Sequence, residues 1–390
     1  MKEEFLSRQQ LNLIEDRVTC ALKTLAPFDL WYYFLKLTNS HKNTPTKVLI
    51  VGSGGSYPAC VFAKHVILEY LNITVEATTP QTALRMLNEF KSFSNTINSK
   101  YDLIIGISYS GKTPDIVAIA KLCKLKQYPF LLITGAKEST LSEIYVEDDL
   151  TKIISYFNAR YPEAEKGLIS MASTLIPMYI LEAVRYTLPP HLLTHPVSEL
   201  HYGERFVSQL DIGKIASSLK KTPIIHVFYE WDTLPTALDI ESKFTESGIA
   251  TVILHEKKNF SHGRTTLLYT QKFALVINLC RYKYDYNGNI DRKLNEEMKF
   301  KNDYDKILTD YLKTICNNFN SNYIELFAIS PFVTSSRWNL WTMPILPYLV
   351  TQIGEEMNID ISRPFKHYPQ ETLALYNYTG EFWLIVLKKS

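Results

Sequence analysis

The 390-residue sequence lacks an excess of charge of either sign, since 42 lysines and arginines stand against 40 aspartates and glutamates. That balance excludes the global basic bias of a protein that grips nucleic acid mainly by electrostatics. Paired cysteines are missing too. Cys20, Cys60, Cys123, Cys280 and Cys316 stand singly, with no CxxC pair and no Cys/His spacing of a zinc site, so no metal is expected. They read as small buried hydrophobes in a reducing compartment. No run reaches the roughly 18 apolar residues of a membrane helix, and Met1 to Gln10 is charged where a signal peptide would be apolar. A cytoplasmic protein without membrane contact is expected. What is present is 46% hydrophobic and 13% aromatic content, that of a packed globule, at a length that suits two domains.

Lys47 to Val51 is a short apolar run that enters Gly52-Ser53-Gly54-Gly55-Ser56-Tyr57-Pro58. This reads as a buried strand meeting a glycine-rich turn, with a helix starting near Pro58. Further strands are expected at 73–77, 102–108 and 128–134. Thr113-Pro114-Asp115, followed by Ile116, Ile119, Ala120 and Cys123 at helical spacing, opens another helix. Strands alternating with helices imply a parallel sheet covered on both faces. A long apolar helix is expected over about 165–186, and the proline-broken stretch 188–197 separates a first domain, 1–190, from a second, 197–390. The second half repeats the grammar, with strands at 224–228, 250–254, 273–279 and 323–329 and helices near 235–246 and 344–357. The polar segment 281–305 alternates in charge and reads as an exposed insertion.

A glycine-rich turn between strand and helix presents backbone N–H groups and a positive helix end, so an anion is its natural occupant. The first turn also invites a dinucleotide reading, with Glu76 at the end of the next strand as a ribose ligand, but Tyr57 or Pro58 stands where the third glycine belongs. The second turn, Ser108-Tyr109-Ser110-Gly111-Lys112-Thr113, offers three hydroxyls that suit a compact phosphomonoester. For Thr113, simple helix capping is the competing reading.

These motifs resemble the sugar-isomerase (SIS) domain, the phosphosugar-binding module of the isomerase half of glucosamine-6-phosphate synthase. Glu165-Lys166-Gly167-Leu168-Ile169-Ser170 is similar to the family's segment before its long helix. Pro235 to Glu246 and on to His262-Gly263 lines up without gaps, and Asp360-Ile361-Ser362-Arg363-Pro364 resembles the family's C-terminal motif. The resemblance implies two tandem flavodoxin-like α/β/α sandwiches, each on a five-stranded parallel sheet. It implies that the turns at Gly54, Gly55, Ser56, Ser108, Tyr109, Ser110 and Thr113 bind the substrate phosphate, with Ser170 nearby. It also implies that Glu246 moves a proton between C1 and C2 of the open-chain sugar, that His262 opens the ring, and that Lys243 is the active-site lysine. No cofactor enters this chemistry. In the family the histidine comes from a neighbouring subunit, so a homodimer is expected. The departures are also informative. These residues show no counterpart of the amidotransferase domain, so glutamine-dependent amination by this chain alone is not expected. Arg264 replaces the family's proline and adds a cation beside His262 that could bind a second anionic group. Pro369 replaces the tail lysine, with Lys366 the nearest substitute.

Proton transfer beside a carbonyl needs a carboxylate and an imidazole with movable pKa values, and Glu246 and His262 supply that pair. His195, Glu199, His201 and Glu204 near the boundary could suggest a metal, but Glu199-Leu200-His201 lacks the i, i+4 pairing of a helical zinc site, and linker polarity explains them. Trp31-Tyr32-Tyr33 and Trp338 to Trp341 read as core or subunit contacts rather than base-stacking platforms. The expected activity is a cofactor-free phosphosugar isomerase or a fructosamine-phosphate deglycase. A non-catalytic phosphosugar sensor is the alternative.

Overall fold

The computed structural model describes residues 5–24, 47–70, 73–89, 101–142, 144–145, 150–161, 171–185, 195–280, 292–327 and 334–362. They divide into an N-terminal unit, within 12–198, and a C-terminal unit made of 5–11 and 199–362. The chain opens with α1 (Leu6–Asn12) and α2 (Ile14–Thr24). Residues 5–11 therefore go with the C-terminal unit, not with the first half as the sequence reading had them. The cause is a cap: the Asp360 carboxylate accepts from the backbone N–H of Leu6 (3.0 Å) and Ser7 (3.2 Å), the donors a helix start leaves open.

The N-terminal unit follows as β1 (Lys47–Val51), α3 (Ser56–Tyr70), β2 (Thr74–Thr78), α4 (Pro80–Glu89), β3 (Leu103–Ile107), α5 (Pro114–Lys126), β4 (Phe130–Thr134), β5 (Thr151–Ser155) and α6 (Ala172–Arg185). Its five strands are all parallel, in the order β2-β1-β3-β4-β5. The central strands β1, β3 and β4 are apolar along almost their whole length because helices cover both faces. α3 packs on α6 and α2 on α6, while α4 packs on α5. Leu49, Val51, Ile104, Ile116, Phe130 and Leu132 form the core under α4 and α5. β5 was not read from the sequence. It is an edge strand, half-buried at Ile153 to Ser155, so its apolar signal is diluted. The expected helix over 165–186 starts only at Ala172 among the described residues; 165–170 lie outside them.

The C-terminal unit continues with α7 (His195–Ser208), α8 (Ile212–Lys221), β6 (Ile224–Tyr229), α9 (Leu234–Glu246), β7 (Thr251–Glu256), α10 (Thr266–Thr270), β8 (Leu275–Cys280), α11 (Arg292–Phe319), β9 (Asn322–Phe327), α12 (Ser335–Thr342) and α13 (Ile345–Met357). Its sheet holds four parallel strands among the described residues, β7-β6-β8-β9, where five were expected. α13 packs against α8 and α9 on one face. Phe228, Val276, Leu308, Leu312 and Ile315 form the core on the other. α11 corrects the reading of 281–305 as an exposed insertion. From Arg292 onward that segment is helix, and Asp305 on it is buried; residues 281–291 lie outside the described part. The error has a simple cause, since a helix that buries one stripe still shows alternating charges along its remaining surface.

Candidate functional site

In the N-terminal sheet the chain turns in opposite directions from β1 and β3, so a crevice opens at the carboxyl ends of these two neighbours. Both hydroxyl-bearing turns emerge there. After β1, Gly54 takes a left-handed conformation (φ 51°), and the N–H groups of Ser56 and Tyr57 close the turn on the carbonyls of Ser53 (3.1 Å) and Gly54 (3.0 Å). α3 then begins at Ser56, whose hydroxyl has no partner among the described residues. After β3, Gly111 is also left-handed (φ 63°), and a Cβ there would stand 2.9 Å from Thr134 Oγ1.

Thr113 occupies the N-cap position of α5, yet its side chain makes no cap bond; its Oγ1 instead pairs with Ser108 Oγ at 3.0 Å. Capping is therefore not what this hydroxyl does. Ser108 is buried and Ser110 exposed, with Ser110 Oγ accepting from Lys112 N–H at 3.2 Å. The starts of α3 and α5 add their positive ends to the same crevice. Two anchors that hold the turns were not legible in the sequence. Thr174 Oγ1 donates to Gly55 O (2.9 Å) and Tyr145 OH to Gly111 O (2.7 Å), each from an element far along the chain and outside any motif. Ser170 lies outside the described residues. Glu76 sits in the middle of β2 and accepts from Tyr101 OH, so its carboxylate is engaged within the fold and not presented to a ribose.

The C-terminal unit separates the other expected residues. α9 leaves the carboxyl end of β6 and returns to the opposite edge, so Glu246 closes a 13-residue helix that spans about 20 Å. His262 follows β7 at the carboxyl edge. Within one copy the two therefore stand at opposite ends of the sheet. Glu246 is half-buried and accepts from Ser242 Oγ at 2.7 Å. Burial pushes its carboxyl above the ordinary glutamate value, while Ser242 and Lys243 pull the other way. Lys243 is buried and its ammonium is bound by the equally buried Asp239 carboxylate one turn back. It thus acts on Glu246 as a fixed neighbouring cation, not as a free group. His262 and Gly263 break the helical path of the turn Phe260–Arg264, with Gly263 at φ 105°, and both His262 and Arg264 are exposed. Lys366 lies outside the described residues.

Fold and crevice together define a doubly wound α/β protein with two hydroxyl-bearing turns at the switch point of its first sheet. Residues 43–154 match the family model of the SIS domain, and this part of the chain is a SIS domain. No curated protein matches the chain. Among solved structures it is similar to the C-terminal domain of glucosamine-fructose-6-phosphate aminotransferase from Francisella tularensis, at 15% identity and a TM-score of 0.62, covering 93% of this chain and 98% of that one. Tagatose-6-phosphate ketose/aldose isomerase from Escherichia coli is similar at 15% identity and a TM-score of 0.65, covering 93% and 96%. Glucosamine-6-phosphate deaminase from Thermotoga maritima follows at 14% identity and 0.58, covering 93% and 98%. These likenesses run through both units, and the fold is that of two tandem SIS-like domains.

Proposed function

We propose that the protein binds a phosphorylated sugar by the hydroxyl-lined turns of its N-terminal unit and catalyses an aldose–ketose isomerisation or a related deglycation by proton transfer. The observation that carries this reading is the Ser108 Oγ to Thr113 Oγ1 pair, half-buried at the switch-point crevice and unused for capping. Three of the similar structures, by name, act on sugar phosphates or amino-sugar phosphates, which supports the same ligand class. Glu246 is the proton carrier in this reading, since a raised pKa brings a carboxylate nearer the basicity that C–H abstraction requires. His262 is supplied by the partner copy of a homodimer, where it assists ring opening. Glu246→Gln and His262→Ala are expected to lower turnover of fructose 6-phosphate or its amine adducts by about 100-fold or more, without loss of binding. Unchanged turnover in both variants would remove the mechanism. Ser108→Ala combined with Thr113→Val is expected to weaken binding of fructose 6-phosphate about tenfold or more.

A second reading is favoured by one observation. Lys243, the family's active-site lysine, is locked in a buried ion pair with Asp239 and is not presented to a ligand. A phosphosugar sensor has no need of a free lysine. Calorimetric binding of fructose 6-phosphate with no product after hours of incubation would establish the sensor.

A further inference from the structure

Beside the phosphate turn the N-terminal unit has a second polar recess, of about 30 Å³, lined by Arg17 of α2, Tyr109, Tyr156, Asn158, Tyr161 and the start of α6 at Ala172. That is room for one small polar group and little more. Tyr109 belongs to both features. Its flanking residues Ser108 and Ser110 carry the proposed phosphate hydroxyls, and its carbonyl is pinned by Gly135 N–H (3.0 Å) and Thr134 Oγ1 (3.1 Å). Gly135 keeps the recess in shape, because a Cβ there would stand 2.6 Å from the Tyr109 ring.

Arg17 is the charged group of this recess. Its Nε is shut off from solvent with no hydrogen-bond partner among the described residues, and its guanidinium lies 4.9 Å from the centroid of the Tyr161 ring. The adjacent carboxylate, Asp16, does not neutralise it. Asp16 is already taken by Arg160, at 3.2 Å to Nη1 and 3.1 Å to Nη2, by Tyr161 OH and by the Cys20 thiol. A buried donor on a permanent cation is costly to leave unmade, and a guanidinium fork matches the two oxygens of a carboxylate. We propose that Arg17 forms a carboxylate-binding subsite next to the phosphate turn, so that the ligand is a phosphosugar bearing a carboxylate, a sugar-acid phosphate or a sugar–amino acid adduct. This rests on the reading of Ser108, Ser110 and Thr113 as the phosphate site. It assigns the second anionic contact to Arg17 and leaves Arg264 outside it.

The test compares two probes by calorimetry, 6-phosphogluconate and glucitol 6-phosphate, which share carbon chain and phosphate and differ only in a carboxylate against a hydroxymethyl at C1. Wild-type protein is expected to bind 6-phosphogluconate about tenfold more tightly. Arg17→Met is expected to erase that advantage and leave glucitol 6-phosphate within about threefold, with Arg17→Lys in between and all melting points close to wild type. Equal loss of both probes in Arg17→Met, or no wild-type preference, overturns the subsite. The Ser108→Ala, Thr113→Val double variant separates the two failures. If it loses both probes while Arg17→Met changes neither, only the subsite is wrong. If it binds both as wild type does, or if wild-type protein binds neither, the phosphate reading falls and the subsite with it.

Discussion

Lys257 is a lysine with 1% of its surface exposed, directly after β7. Burial alone would lower its pKa, but its neighbours, Cys280 first and then Asp305 at 2.9 Å and Glu230, hold the ammonium above its ordinary value. Cys280, 3.8 Å away, has its own thiol pushed up to about 12 by burial and is neutral at pH 7, so Asp305 is the true counter-charge. Removing one partner of such a pair leaves a bare charge in the core. Asp305→Ala is expected to cost about 3–5 kcal/mol in urea unfolding, and Lys257→Met with Asp305→Leu to recover most of it. A loss below about 1 kcal/mol would mean that water reaches the ammonium. Glu246 yields a pH prediction. Because burial raises its carboxyl and the Ser242 hydroxyl opposes this, the rising limb of the proposed activity should lie above the ordinary glutamate range, and Ser242→Ala should move it higher still. A limb unmoved by Ser242→Ala would separate Glu246 from the rate.

At the scale of elements, β6 and β7 hold a histidine pair that the motifs did not flag. His226 Nδ1 and His255 Nε2 are 2.7 Å apart, both rings are buried, and His255 packs on Phe228 at 4.9 Å and on Phe260 at 5.3 Å, the residue that opens the turn carrying His262. One ring donates and the other accepts, so the two cannot both be protonated. Burial, with His255 acting on His226 and Arg264 on His255, holds both near pKa 4 against an ordinary 6.5. Between those values the unfolded chain binds more protons than the folded one. Stability is thus complete above about pH 6.5 and is lost as the pH falls toward 4, by roughly 3 kcal/mol for each ring that must charge. Urea midpoints at pH 7, 6 and 5 should fall in step, and His226→Gln should flatten the slope; a slope of equal size in that variant would place the effect elsewhere. The strands were legible because each is a dense apolar run bounded by glycine, proline or polar residues, as in β3 and β8. The turns at Gly54 and Gly111 were legible because their residue types state their backbone needs. What escaped are pairings with no local signature: the edge strand β5, the helix α11 inside a polar segment, and the Asp239 clamp on Lys243, which two residues four apart make only once their helix face is buried.

At the scale of the whole molecule, the proposed chemistry has a geometric requirement that a single copy does not meet. Glu246 and His262 belong to opposite edges of one four-stranded sheet, separated by about the 20 Å length of α9. Two groups that work on one sugar must both touch it, so at least one of them comes from a second copy if both take part. A two-fold dimer supplies this naturally, because an isologous interface presents each residue twice. The consequence can be read by mixing two dead proteins. Glu246→Gln and His262→Ala, refolded or exchanged together, should form mixed dimers in which one of the two sites carries both intact groups. With random pairing that restores roughly a quarter of wild-type activity. If both residues served the same site within one chain, every mixed dimer would carry one lesion per site and no activity would return. Such silence, with subunit exchange verified by mass spectrometry, would reject the shared site and with it the role of His262, since no rigid arrangement of one copy brings it to Glu246.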